Sequence, residues 1–236
     1  MDLWVWFNQV VGALLFYGLA LAIAVPLTLR WRTPYVLASL YIASYVIAQY
    51  TSPKLTTFAV WVVPGGNFPF VATIALMDII VVYWGLSVAR QVIIAGFLAQ
   101  ILLYAANMIT IATPDPFPGF EWKNQIYGLS ARIAIASPIA YLVAEMVNAQ
   151  LTWIYRRIWW ARTLYSDPIA LIVDTLIFIP IAFYGAVPLE VLIDMIVGLS
   201  ALKLTLIPIN LTAVYTTRRL IEGKLKVTSQ QSQHRP

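Results

Sequence analysis

The sequence predicts an all-α membrane protein, and three observations carry that expectation. Six or seven apolar runs, each long enough to cross a bilayer, fill the chain. Charged residues are 11% of the 236 residues, where a soluble domain has about 25%, and the mean hydropathy is +0.80. The runs are continuous, whereas a barrel strand alternates over ~10 residues; a ~30 Å hydrocarbon core needs ~20 residues of helix per crossing.

Leu3–Leu29 is the first run. It is too long for a signal peptide, has no basic start and lacks a small-residue cleavage site, so it reads as a retained helix. Arg30 and Arg32 follow it, and Pro34–Tyr50, ending near Lys54, is the second run. Leu55–Val63 is too short to span and meets the breaker Pro64-Gly65-Gly66-Asn67, so it reads as a bent continuation or a re-entrant segment. Phe68–Val88, with Arg90 at its end, and Gln91–Ile111 are the third and fourth spans. Ala112–Gly128, with Pro114, Pro116, Pro118, Asp115 and Glu121, reads as a surface loop. Leu129–Ile154 is the fifth span, and after it Arg156, Arg157 and Arg162 mix with Trp159, Trp160 and Tyr165 as in an interfacial belt. Pro168–Tyr184 is the sixth, Gly185 to Pro188 a tight connection, and Leu189–Tyr215 the seventh.

Charge assigns the sides. If all seven runs cross, Arg30/Arg32, Arg90, Arg156/Arg157/Arg162 and Arg218/Arg219/Lys224/Lys226 share one face. The positive-inside rule makes that face cytoplasmic and puts the N-terminus outside. The net charge of +5 therefore reads as topology, and nucleic acid is not expected as a partner.

Several chemistries are excluded. There is no cysteine, so no disulfide, thiolate metal site or thiol catalysis. The one histidine, His234, lies in the polar tail Thr228–Pro236, whose composition predicts disorder. No Walker A loop, HExxH or GxSxG is present. The expectation is a non-enzyme with no cofactor and no metal site.

Asp78, Glu145, Asp174, Asp194 and Lys203 all lie inside apolar runs. A charge at the bilayer centre costs at least ~2.5–3.5 kcal/mol, so each such residue faces a partner, a cavity or a polar substrate. Two readings stay open: paired charges that only set helix register, or a ligand pocket or proton path. Acids on several helices favour the second, since one pair would suffice for register. Gln49, Asn107, Asn148 and Asn210 add amides that need partners in lipid, and interhelical hydrogen bonds alone would explain each. Arg132 starts the fifth span and could snorkel to the interface instead of joining a site. Tyr83, Trp84 or Tyr141 could stack on a planar substrate.

Phe68-Pro69-Phe70, then Asp78, Gly85 and Ala89-Arg90, resembles the signature FP…(T)D…(E)xYG…AR of the vitamin uptake transporter family, linked to queuosine precursor transport. Gln49…Lys54 resembles its N…K pair, and Ala131-Arg132-Ile133-Ala134-Ile135-Ala136-Ser137 its ARIAxAS block. Asp174-Thr175-Leu176-Ile177-Phe178 with Ala182-Phe183 is similar to its DTxxF…AF block, and Lys203 stands at its late lysine. Val82, Met77 and Gln49 depart from the family's usual Glu, Thr and Asn.

The resemblance implies a six-helix transporter domain over residues 33–219, similar to the substrate-binding components of energy-coupling-factor vitamin transporters. Residues 1–32 would be an added N-terminal transmembrane helix and 220–236 a polar cytoplasmic tail. It implies import of a 7-deazaguanine, such as 7-cyano-7-deazaguanine, by secondary transport across the cytoplasmic membrane, with Gln49, Lys54, Asp78, Arg132, Glu145, Asn148, Asp174 and Lys203 as substrate contacts. A guanine-like edge offers adjacent N–H donors to a carboxylate, its carbonyl wants a cationic or amide donor, and its flat face wants an aromatic. The runner-up is a vitamin-binding subunit served by a separate ATPase module, for which small residues at Ala131, Ala134, Ala136 and Ser137 would be a docking stripe; a homo-oligomer is a further option. A third class is a membrane protein with a structural or chaperone role and no ligand.

Overall fold

The computed structural model describes residues 3–51, 55–58, 60–64, 67–113, 131–208, 211–212, 214–216 and 218–219. Lys54, Asn210, His234, the polar tail and nearly all of the acidic proline-rich loop lie outside them. The chain is a mostly helical, multi-pass membrane protein. Large apolar side chains point outward, among them Leu15, Leu19, Leu102, Ile109 and Leu176, while Asp78, Glu145, Asn148, Asp174 and Lys203 are buried. In water this distribution would expose far more apolar surface than a monomer tolerates; in lipid it is the stable arrangement.

Helix α1 spans Leu3–Trp31 and α2 spans Tyr35–Thr51. Arg32, at φ +54, ends α1 with its N–H donated to the Thr28 carbonyl at 2.8 Å. Ala24, Val25 and Thr28 near the end of α1 are buried, and the helix packs on α2 and on the helix that follows.

Leu55–Val63 corrects the expectation of a bent or re-entrant helical continuation. Leu55–Phe58 (β1) and Trp61–Pro64 (β2) form an antiparallel hairpin, with Leu55 opposite Pro64 and Phe58 opposite Trp61. Thr56, Thr57, Val62 and Val63 are β-branched and suit a pleated strand. The hairpin is the one strand pair among the described residues, beside an isolated bridge between Tyr184 and Val187.

Helix α3 runs Asn67–Ala112 but is broken at Gly85, whose φ 84 and ψ 170 are a backbone conformation open essentially to glycine alone. The chain reverses there. Along α4 (Ala131–Ile154), Glu145 and Thr152 meet Thr73 and Asp78 of the first limb in parallel order. Tyr141, Gln150 and Trp153 meet Ile93, Arg90 and Gly85 of the second limb in antiparallel order. Two spans were expected here, meeting at Arg90; the glycine moves the turn five residues earlier.

After α4 a helical turn, Trp159–Ala161, and a π-helical turn, Arg162–Ser166, feed α5 (Asp167–Phe183), which starts with Pro168 in its first turn. Gly185, at φ +75, makes the tight connection to α6 (Leu189–Thr205). Ala72–Thr110, Arg132–Ile154 and Leu164–Phe183 are long and apolar enough to cross a membrane, the first holding both limbs of α3.

Two apolar clusters organise the interior. One joins α1, α2, α3 and the middle of α4 around Tyr41, Met77, Ile80, Ile93 and Tyr141. The other joins the hairpin, the start of α4, α5 and α6 around Val63, Ala136, Ile179 and Leu199. Gly198 lets the hairpin press onto α6, since a Cβ there would lie 2.2 Å from Trp61 Cβ.

Candidate functional site

A small cleft of about 40 Å³ opens where the two clusters meet. Tyr45, Ala48 and Phe70 line it from the first cluster, Phe178 and Leu199 from the second, and Pro64 of the hairpin borders it. Its polar groups are Gln49, Ser137, Asp174 and Lys203. Lys203 Nζ donates to Asp174 Oδ2 at 2.5 Å and to Thr175 Oγ1 at 3.2 Å, and stands 4.5 Å over the Phe70 ring. Thr175 donates to the Leu171 carbonyl at 2.9 Å, so its oxygen is held ready for the lysine. The two charges offset each other's desolvation, and the cation–π contact adds to the lysine side. Gln49 Nε2 donates to Gln100 Oε1 at 2.8 Å, which leaves Gln49 Oε1 to accept.

A second polar group lies farther along α4. Thr152 Oγ1 meets Asp78 Oδ1 at 2.8 Å and Ser166 Oγ at 2.9 Å, and Ser166 Oγ meets the Asn148 side-chain amide at 2.6 Å. All four residues are buried. Thr152 donates to Asp78, and the single Ser166 hydrogen has three acceptors within reach: Thr152 Oγ1, the Asn148 side-chain oxygen and, at 3.1 Å, the Asn148 backbone carbonyl.

Glu145 lies between these groups, buried, with Thr73 Oγ1 3.4 Å from its Oε1 and the charges of Asp174 and Asp78 both within electrostatic reach.

Of the residues expected from sequence to contact substrate, Gln49, Asp174 and Lys203 line the cleft. Asp78 and Asn148 share the hydroxyl chain, and Glu145 stands between. Arg132 is exposed at the start of α4 and does not line the cleft, as a snorkelling residue would be. Lys54 lies outside the described residues. Asp194 faces outward on α6. Ala136 is fully buried and Ser137 borders the cleft, so these two members of the small-residue stripe pack internally. Thr152, Ser166, Tyr45, Phe70 and Phe178 were missed as site residues. Thr152 was legible as the fourth polar position on one face of α4 after Ser137, Glu145 and Asn148; Ser166 was not, because it reaches the chain from the π-helical turn.

The fold and the cleft define a helical membrane protein with buried charges between two packed apolar clusters. Residues 64–217 match the family described as "Putative vitamin uptake transporter", and the chain belongs to that family. A protein of Haemophilus influenzae named "Probable queuosine precursor transporter" is 31% identical over 121 residues, 50% of this chain and 50% of that protein. One of Bacillus subtilis with the same name is 22% identical over 164 residues, 66% of this chain and 72% of that protein. The alignment thus spans only half the length of the first relative. No solved structure matches the chain.

Proposed function

We propose that the protein imports a 7-deazaguanine queuosine precursor, such as 7-cyano-7-deazaguanine, across the cytoplasmic membrane by secondary transport. The observation that carries this reading is the make-up of the cleft: one carboxylate, one cation, one free amide oxygen and three aromatic walls. Asp174 accepts the adjacent N–H groups of the guanine edge, and Lys203 holds that carboxylate in place. The lysine has a third N–H for the ligand carbonyl. Gln49 Oε1 accepts a further ring N–H, and Tyr45, Phe70 and Phe178 bracket the ring plane. The relatives' printed names support the same ligand class.

The cleft, at about 40 Å³, has room for a few waters and not for a bicyclic base. Loading requires the two clusters to part, as in alternating access. In this reading residues 33–219 form a six-helix unit and α1 is an added crossing, with the N-terminus outside and the C-terminus in the cytoplasm.

Proteoliposomes holding the purified protein test the reading with labelled 7-cyano-7-deazaguanine. The expected result is saturable uptake, competed by unlabelled ligand, together with thermal stabilisation of about 2.7 kcal/mol at a ligand concentration 100 times Kd. Neither uptake nor stabilisation with any deazaguanine would overturn it.

A further inference from the structure

Ser137, Tyr141, Glu145, Asn148 and Thr152 recur on α4 at spacings of four, four, three and four, which places them on one face. That face runs about 22 Å at 1.5 Å per residue. It leads from the cleft, which Ser137 borders, to the hydroxyl chain at Thr152, and Glu145 stands midway. Glu145 is 2% exposed. Tyr41 and Tyr45 of α2, Thr73 and Asp78 of α3, Tyr141 of α4 and Asp174 of α5 face it. Lys203 of α6, the one buried cation among the described residues, is bonded to Asp174.

The hydrogen count at Thr73 is informative. Its hydroxyl has a single hydrogen, given to the Phe70 carbonyl at 2.6 Å. Glu145 Oε1 lies farther from the same oxygen, at 3.4 Å, so it receives at most a weak share of that hydrogen. Glu145 Oε2 has no hydrogen bond of standard geometry among the described residues, and the Tyr41 hydroxyl stands beside the glutamate as a donor. An ionised Glu145 would add a negative charge beside Asp78 and Asp174, with the lysine already engaged. A neutral guanine-like ligand brings no charge to offset it, whereas a proton does.

We propose that Glu145 is a proton-binding site, loaded from the outside and emptied to the cytoplasm as the ligand passes. The coupling, though not the proton site, rests on the reading of the chain as a deazaguanine importer. A proton from external water forms an O–H bond on the Glu145 carboxylate while the cleft faces out. In the inward-facing state that bond breaks and the proton leaves to cytoplasmic water. The ligand is chemically unchanged, and one positive charge moves inward per cycle.

Two measurements test this. The first is a pH-difference infrared spectrum of the purified protein, which reads the carbonyl stretch of a protonated carboxyl group. Wild type is expected to show a titrating band that vanishes in Glu145→Gln; the same band in the variant, or none in wild type at any pH, overturns the proton site. The second uses proteoliposomes with labelled 7-cyano-7-deazaguanine and an imposed pH gradient. An acidic exterior is expected to drive accumulation above equilibrium in wild type. Glu145→Gln is expected to lose that accumulation, and accumulation in the variant equal to wild type overturns the coupling. Wild-type accumulation indifferent to the gradient overturns the coupling, and needs no variant to fold. If wild type moves no deazaguanine at all, the proposed ligand fails, and the infrared band still decides the proton site.

Discussion

The cleft around Asp174 and Lys203 and the chain around Asp78 and Thr152 are built from the same residue types, yet they are opposite in kind. The cleft draws walls from α2, the hairpin, α3, α4, α5 and α6 and keeps unused hydrogen-bonding capacity at Gln49 and Lys203. In the chain, Thr152, Ser166 and Asn148 bond to one another and to Asp78 Oδ1, and none of them lines the cleft. Burial of a carboxylate therefore does not by itself place it on the cleft. What distinguishes the two is the company of the acid: a cation and aromatic walls around Asp174, neutral hydroxyls and an amide beside Asp78.

The largest effect that would break this distinction is at Lys203. Lys203→Met strands Asp174 without its cation, and losing one partner of a buried pair is expected to cost about 3–5 kcal/mol. Adding Asp174→Asn is expected to restore most of that stability, while ligand affinity stays at least tenfold down. Thermal unfolding in detergent and direct ligand binding read the two quantities separately; a double variant that binds normally would remove Asp174 from the site.

Gly85→Ala tests the frame that holds both regions against α4. An L residue at φ 84, ψ 170 is expected to cost about 1–3 kcal/mol in thermal unfolding. A variant as stable as wild type would mean that the reversal tolerates another geometry.

Thr152→Val removes the donor to Asp78, while Ser166 keeps its acceptors on Asn148. We expect a loss of about 1–3 kcal/mol in stability, with ligand affinity changed by less than a factor of about three. A tenfold loss of affinity in a well-folded Thr152→Val protein would merge the chain with the binding site and erase the contrast.

The smallest effect on binding is expected from deleting Met1–Trp31. The last turns of α1 sit in the first apolar cluster, through Ala24 and Val25, so the melting temperature should fall. No residue of α1 lines the cleft, so affinity should hold. A folded truncation without ligand binding would make α1 part of the transport unit.

Much of this was legible from residue order alone. Runs of some twenty apolar residues admit only helices in lipid, because every backbone polar group must be paired within its own segment. The same cost marked Asp78, Glu145, Asp174 and Lys203 as interior positions, and all four are buried. Partner choice was not legible. Lys203 pairs with Asp174 and not Asp78 because α5 and α6 are packed neighbours, a relation between faces that spacing along one chain does not encode. The hairpin at Leu55–Pro64 was hidden for a similar reason. Four-residue apolar strands look like helix fragments until they pair, and their seat on Gly198 is supplied from far along the chain. Local composition and the solvent determined which residues avoid lipid; only the packing of helices against one another decided which of them close on themselves and which leave a cleft.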